Sequence, residues 1–199
     1  MAPYSYNPDL PRCGWNAGDG ILTRYHDVEW GFPQHDDRLL FEAIVLDGFQ
    51  AGLSWMTILN KRDNFRAAFY GFNIQTVANF SEDKVEELLQ NAGIIRNRAK
   101  IKAAISNAQA TLAVQKEFGS LDAYLWCFTE GRTINNQWES LNQIPAKTEL
   151  SDRISKDMIQ RGYKFCGSTI VYAFLQSTGV VNDHIMSCFR HAELTHLCK

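Results

Sequence analysis

At 199 residues the chain is long enough for one domain, or for two small lobes sharing a core. Its 45% hydrophobic and 21% charged residues exclude a disordered chain and describe a globular one. The formal net charge of −2 excludes bulk electrostatics as a reason to expect a nucleic-acid partner, so such a contact must come from local basic patches.

The opening residues Met1-Ala2-Pro3-Tyr4-Ser5-Tyr6 carry neither a basic cluster nor an apolar run, unlike a secretory signal. Residues 1–10 lack periodicity and read as a flexible extension, followed by a single domain over 11–199. Helical spacing first shows at Leu39, Leu40, Ala43, Ile44 and Leu46, behind Asp36 and Asp37, which can cap a helix and charge its N-terminus. Trp55, Ile58, Leu59, Phe65 and Phe69 predict a second helix over 54–70, with Ser54 as N-cap. Ser81-Glu82-Asp83 opens a third, with Val85, Leu88 and Leu89 inward. A long helix over about 98–118 carries a stripe of Ile101, Ala104, Ile105, Ala108 and Leu112. Shorter helices are predicted at 121–128, 150–161 and 167–177, and a loop at 132–145. No alternation supports a sheet, so the expected fold class is all-α. The longest apolar stretch, 169–181, is broken by Gln176, Ser177 and Thr178 and is too short to span a bilayer. A cytoplasmic protein is expected.

The segment Gln50-Ala51-Gly52-Leu53 lies between the first two helical patterns. Gly52 allows a tight turn from which Leu53 projects. Asp47 precedes it and Trp55 follows. A carboxylate, an apolar wedge and an aromatic face within ten residues suit a base flipped out of a duplex: the acid accepts hydrogen bonds, the ring stacks, and the wedge fills the gap. The same residues would equally make an ordinary helical hairpin. Further on, a helix ends at Gly93, Ile94 and Ile95 follow, and a basic helix begins with Arg96, Arg98 and Lys100. This is the layout of a helix-hairpin-helix near 84–112, whose turn amides hold a phosphate. Lys61, Arg62 and Arg66 form a second basic group, and Lys102 extends the first; both also fit solvated helix faces.

Five cysteines, at 13, 127, 166, 188 and 198, are odd in number and irregular in spacing, which points to reduced thiols or metal ligands. His184 and Cys188 share one helical face and could meet Cys13 and His26 on one ion. Cys188, His191, His196 and Cys198 offer a competing set in the tail. Trp15, Tyr25 and Trp30 surround the first two ligand candidates and would wall the same pocket as Trp55 if a metal fixed that segment.

Arg12-Cys13-Gly14-Trp15, Tyr25-His26-Asp27-x-Glu29-Trp30-Gly31, Gln50-Ala51-Gly52-Leu53-Ser54-Trp55, Ala92-Gly93-Ile94-Ile95-Arg96 and Val181-Asn182-Asp183-His184 occur in one order along the chain. Together they resemble the 3-methyladenine DNA glycosylase I family of base-excision repair. The resemblance covers residues 12 to about 188 and implies a helix-hairpin-helix glycosylase fold with a helical lobe at about 36–144. A second lobe, 11–35 with 145–199, would be tied by a structural zinc on Cys13, His26, His184 and Cys188. It places Tyr25 and Trp55 where the methylated adenine stacks, Trp15 on the pocket wall, and Leu53 in the loop pressed into the opened duplex. Two positions depart from the family. Its pocket acid, usually Glu, is Asp47 here, with a reach shorter by roughly 1.5 Å; a pocket Tyr is replaced by Leu22.

The implied activity is hydrolysis of the N-glycosidic bond of 3-methyladenine in double-stranded DNA. No lysine in the loop is placed for Schiff-base chemistry, so a monofunctional, monomeric enzyme is expected. The rival expectations are a non-catalytic protein that binds alkylated or kinked DNA and a zinc-stapled helical interaction module.

Overall fold

The computed structural model describes residues 4–16 and 18–197. Eleven helices are found among them, with one two-stranded parallel pair. In chain order these are α1 (Ile21–Val28), α2 (Asp37–Gln50), α3 (Trp55–Leu59), α4 (Arg62–Ala68), α5 (Ile74–Ala78), α6 (Glu82–Gln90), α7 (Arg98–Phe118), α8 (Leu121–Trp126), β1 (Ile134–Asn135), α9 (Glu149–Gln160), α10 (Ser168–Ser177), β2 (Val181–Asn182) and α11 (Phe189–Leu197). None of the described helices is long and apolar enough to cross a membrane.

Short polar side chains set the starts. Asp36, Ser54, Asn73, Ser81, Asn97 and Ser120 each accept a hydrogen bond from the backbone N–H three residues on, and Thr148 completes a capping box with Ser151. Asp37 does more than charge the start of α2. It accepts from the backbone N–H groups of Leu121 and Asp122 and from Gln115, which fixes the start of α8 beside α2.

The expected helix over 54–70 is broken. Leu59 faces a cluster with Cys13, Tyr25 and Trp30, whereas Phe65 and Phe69 face the main core with Phe49 and Phe72. One straight helix cannot serve both, so the chain turns between α3 and α4 and again at Tyr70 and Phe72, which have positive φ. Helix α1 escaped the periodicity because its inward face is partly polar: Thr23, His26 and Asp27 are buried with Tyr25. The expected loop at 132–145 contains β1, whose two residues pair with β2 in the register Ile134 to Val181 and Asn135 to Asn182. Two residues are too few for alternation to show. Residues 4–10, expected to be flexible, make defined contacts: the Tyr4 hydroxyl donates to Asp27, and the Arg12 guanidinium lies over the Tyr6 ring.

Two apolar clusters result. The larger joins α2, α7 and α10 with their neighbours; the smaller gathers around Cys13, Tyr25, Trp30, Leu59, Ile185 and Cys188. Trp55 packs against both, so the first turn of α3 lies on the seam.

Lys100 also differs from expectation. Only 8% exposed, it points inward and donates to the carbonyls of Phe49 and Ala51 at the C-terminal end of α2. There its charge meets the negative end of the helix dipole and satisfies orphan carbonyls. A Lys100→Met variant leaves those carbonyls unpaired. Urea unfolding is expected to show a loss of about 1–3 kcal/mol; an unchanged midpoint would contradict this role.

Candidate functional site

Helix α2 is buried on nearly every side over its second half, which carries Asp47 into the interior at 2% exposure. After Gln50 the chain turns through Gly52, whose φ of +77° suits glycine, and leaves Leu53 40% exposed. Ser54 then caps α3 and sets Trp55 against Tyr25 of α1, ring centroids 5.4 Å apart and planes tilted by 53°. A base stacked between two parallel rings needs about 7 Å, twice the roughly 3.4 Å stacking distance. These two rings therefore form an angled wall against which a planar group lies, and they do not sandwich it.

A cavity of about 250 Å³ opens on this wall. Trp15, Tyr25, Trp30 and Trp55 supply its aromatic surface, Asp47 and Gln50 its polar floor, and Ile144, Ala173, Gln176 and Ser177 its remaining side. A neighbouring cavity of about 340 Å³ shares Tyr25, Trp55 and Ser177. It is larger, but Asp47, Trp15 and Trp30 line only the first. Trp55 Nε1 is buried without a partner among the described residues, leaving an N–H donor at the seam.

The chemistry of the floor is set by desolvation. Burial pushes the Asp47 carboxyl up to about 8, and its one hydrogen-bond partner among the described residues, the Ser177 hydroxyl at 3.4 Å, offsets this only in part. Tyr25 is raised as well, by burial first and by Asp47 second. At neutral pH the carboxyl therefore favours its protonated form.

Beside the cavity, Cys13, His26, His184 and Cys188 are all buried, with ligand atoms within 4.8 Å of one another. Sulfur to nitrogen distances are 3.4 Å for Cys13–His184, 3.4 Å for Cys188–His184 and 3.5 Å for Cys188–His26. A tetrahedral ion with bonds of the usual lengths for zinc separates S and N by about 3.5 Å. The other ring nitrogens are engaged: His26 Nδ1–H donates to Asp27 and His184 Nε2–H to the Trp30 carbonyl. Both imidazoles thus present their free nitrogen to the sulfurs, as metal ligands do. Gly31, at φ +83°, lets the backbone approach His184, where a Cβ would lie 3.0 Å from Nε2. Burial raises the Asp27 carboxyl, but bonds from Arg12, His26 and Tyr4 outweigh it and hold the group below the usual range. The hydrogen bond from Cys13, then those from His184 and His26, favour the Cys188 thiolate against its burial. The opposite shift on Cys13 reflects the one proton the two sulfurs share.

The competing tail set does not assemble: His191 bonds the Asn136 carbonyl, and Cys198 lies outside the described residues. Trp15 and Trp30 link cluster and cavity. They pack edge-to-face at 5.3 Å, Trp15 lies 5.2 Å from His26, and Trp30 lies 4.5 Å from His184.

Leu22, expected in the pocket, does not line it; it packs on the outside of the smaller apolar cluster. Ile94, expected at a DNA contact, is 3% exposed and belongs to the core. Gly93 sits in a tight turn, its N–H held by Asn91 and the carbonyl of Ala92 by Lys61. Arg98 pairs with Glu82 and Glu86, Lys102 with Glu82, Arg62 with Glu29 and Arg66 with Glu42. Arg96 alone of the two basic groups lacks a hydrogen-bond or ion-pair partner among the described residues. Gln50, Ile144, Ala173, Gln176 and Ser177 were missed. Positions 173, 176 and 177 do share a helical face, but nothing in their residue types marks that face as a site.

Comparison with known proteins adds findings of three kinds. A sequence model of a family described as "Methyladenine glycosylase" matches residues 15–191. DNA-3-methyladenine glycosylase 1 of Escherichia coli (strain K12) is 46% identical over 179 residues, covering 90% of this chain and 96% of that protein. DNA-3-methyladenine glycosylase of Haemophilus influenzae (strain ATCC 51907 / DSM 11121 / KW20 / Rd) is 42% identical, covering 89% and 96%. Among solved structures, a 3-methyladenine DNA glycosylase I superposes with a TM-score of 0.87 at 49% identity, covering 90% of this chain and 98% of that one. The Staphylococcus aureus enzyme, solved to explain 3-methyladenine recognition, gives 0.87 at 31% identity, covering 89% and 95%.

The buried acid makes a prediction independent of any ligand. The folded value of about 8 lies above the ordinary 3.8, so the folded state holds the extra proton between them. Asp47 contributes most to stability below about pH 3.8, and that contribution is lost progressively as pH rises to about 8. Asp47→Asn removes the penalty. The Tm advantage of the variant over the parent should widen from pH 5 to roughly pH 8; a constant difference would show that Asp47 is solvated.

Proposed function

The chain belongs to the methyladenine glycosylase family, and from that premise we propose that it removes 3-methyladenine from alkylated double-stranded DNA in base-excision repair, hydrolysing the N-glycosidic bond. The observation that carries this reading is the buried acid under the angled Tyr25–Trp55 wall. A methylated base flipped from the duplex is planar and cationic. It stacks on electron-rich rings and meets a carboxyl whose ionisation its own charge favours.

N3-methylation has already made the base a good leaving group, so the protein has little acid chemistry to do. Water attacks C1′, the C1′–N9 bond breaks with its electron pair going to the base, and neutral 3-methyladenine departs. The attacking water must lose a proton, and a carboxylate with a pKa near neutrality suits that task. Among the described residues no lysine lines the cavity, which supports a monofunctional hydrolase. Leu53 on the Gly52 turn is the wedge that fills the space left by the base. The turn at Gly93, with Arg96 and Arg98, is the backbone-binding hairpin; Arg98 exchanges its acidic partners for phosphate. Trp15 and Trp30 complete the pocket wall.

Cys13, His26, His184 and Cys188 would hold a structural zinc within a monomeric chain. The S₂N₂ donor set and its spacing suit zinc, and four protein ligands leave no open position for water. Bound there, it would tie α1, and so Tyr25, to the segment after β2. A cytoplasmic location accords with the reduced thiols.

Incubation with methylated duplex DNA should release free 3-methyladenine, and Asp47→Asn should slow release by about 100-fold or more while the far-UV spectrum stays unchanged. For the parent, kcat/KM should climb with pH towards a limb near 8. Full activity in the Asn variant, or a flat profile from about pH 6 to 9, would remove Asp47 from the chemistry. Elemental analysis should find one zinc per chain. Cys188→Ala should lose it and lower Tm by several degrees; a metal-free parent of equal stability would overturn the staple.

A further inference from the structure

Ser177, the last residue of α10, faces two acceptors with one hydrogen. Its Oγ lies 3.0 Å from the Phe174 carbonyl oxygen and 3.4 Å from Asp47 Oδ2. The Phe174 oxygen is already satisfied: the Thr178 backbone N–H and the Thr178 hydroxyl both donate to it, at 3.0 and 2.6 Å. A carbonyl oxygen has two lone pairs, so the Ser177 hydrogen is a third claimant there and leaves at little cost. Asp47 has no other hydrogen-bond partner among the described residues.

Other donors share the cavity, Gln50 and Trp55 Nε1 among them, but neither hydrogen-bonds Asp47. Tyr25 faces Asp47 from α1 and stays protonated. Gln176, the other polar residue that α10 sends to the cavity, donates to Asp183. On the opposite side Asp47 meets Met158 of α9 and Phe165, Cys166, Ile170, Val171 and Phe174 around the start of α10, with the Cys166 thiol pushed up to about 11 by burial and so neutral. Among the described residues no lysine or arginine lines the space on either side of the carboxyl.

We propose that Ser177 is a positioning residue for Asp47: its hydroxyl rests on the Phe174 carbonyl while Asp47 is neutral and turns to Oδ2 when the carboxyl ionises beside a cationic base. The proton released by Asp47 leaves to solvent through the open cavity. The hydroxyl thus fixes the direction of a carboxylate one bond shorter than the family's usual acid and lowers the pH at which it forms. The part played by the cationic base rests on the proposed excision activity; the turn of the hydroxyl towards an ionised Asp47 does not.

The test uses the full chain with Ser177→Ala and Ser177→Thr. Carboxyl ¹³C NMR of the free protein follows the Asp47 titration. It should move up by about one pH unit in the Ala variant, the loss of one charged hydrogen bond, and stay in place in the Thr variant. On methylated duplex, the Ala variant should lose about tenfold in kcat/KM near pH 6.5 and little near pH 9, its alkaline-rising limb displaced by the same unit. An unmoved Asp47 titration in the Ala variant overturns the proposal. So does an equal loss at every pH with an unshifted limb, which would make Ser177 a packing residue only. If the parent releases no base, the excision reading fails, and the NMR titration still decides the role of Ser177.

Discussion

Cys13 and His184 stand 171 positions apart in the chain, yet their ligand atoms lie 3.4 Å apart in the fold. That juncture, with His26 and Cys188, fixes what surrounds it. His26 carries Tyr25 with it on the same turn of α1. Trp15 and Trp30 lean edge-on against the two imidazoles. Outward, Asp27 gathers Arg12 and Tyr4 around His26. Asp183, 1% exposed, is held by Asn136, Trp138, Tyr172 and Gln176 immediately before His184. A ligand set therefore doubles as the scaffold of an aromatic wall.

The wall matters because of what it hides. A carboxyl removed from water costs several kcal/mol unless it is paired or neutral, and no cation among the described residues pairs with Asp47. The fold tolerates the group by keeping its proton. A positive charge beside the carboxyl would offset the cost of ionising it, whereas a neutral group would not.

Much of this was legible in the residues. Helix α7 was read over about 98–118 from its apolar stripe, and in the fold Asn97 and Gly119 cap those ends. Trp55 and Leu53 were found because a glycine turn between two periodic stretches exposes the residues just beyond it. The ligand set was one of two candidates on spacing alone, and only the fold brings Cys13 and His26 to the second pair. Charge was misread most. Lys100 looked like a phosphate contact in a basic run, but a sequence does not tell which of several cations on a helix turns inward. Leu22 was placed in the pocket by position, yet α1 turns it outward. Ser177 carried no signal at all: a serine at a helix end is commonplace, and its meaning depends on α2 passing behind it.

The ligands also impose an order of events. Residues 13 and 26 leave the ribosome early, but the set closes only after residue 188 has emerged. Until then Tyr25, Trp15 and Trp30 lack part of what they pack against, and the larger core, which takes α9 and α10 together with α2 and α7, is incomplete as well. Closing so long a loop carries an entropic cost that grows only slowly with length, so the delay is one of synthesis and not of search. The aromatic wall is thus complete only when the segment around residue 188 is in place beside residues 13 and 26.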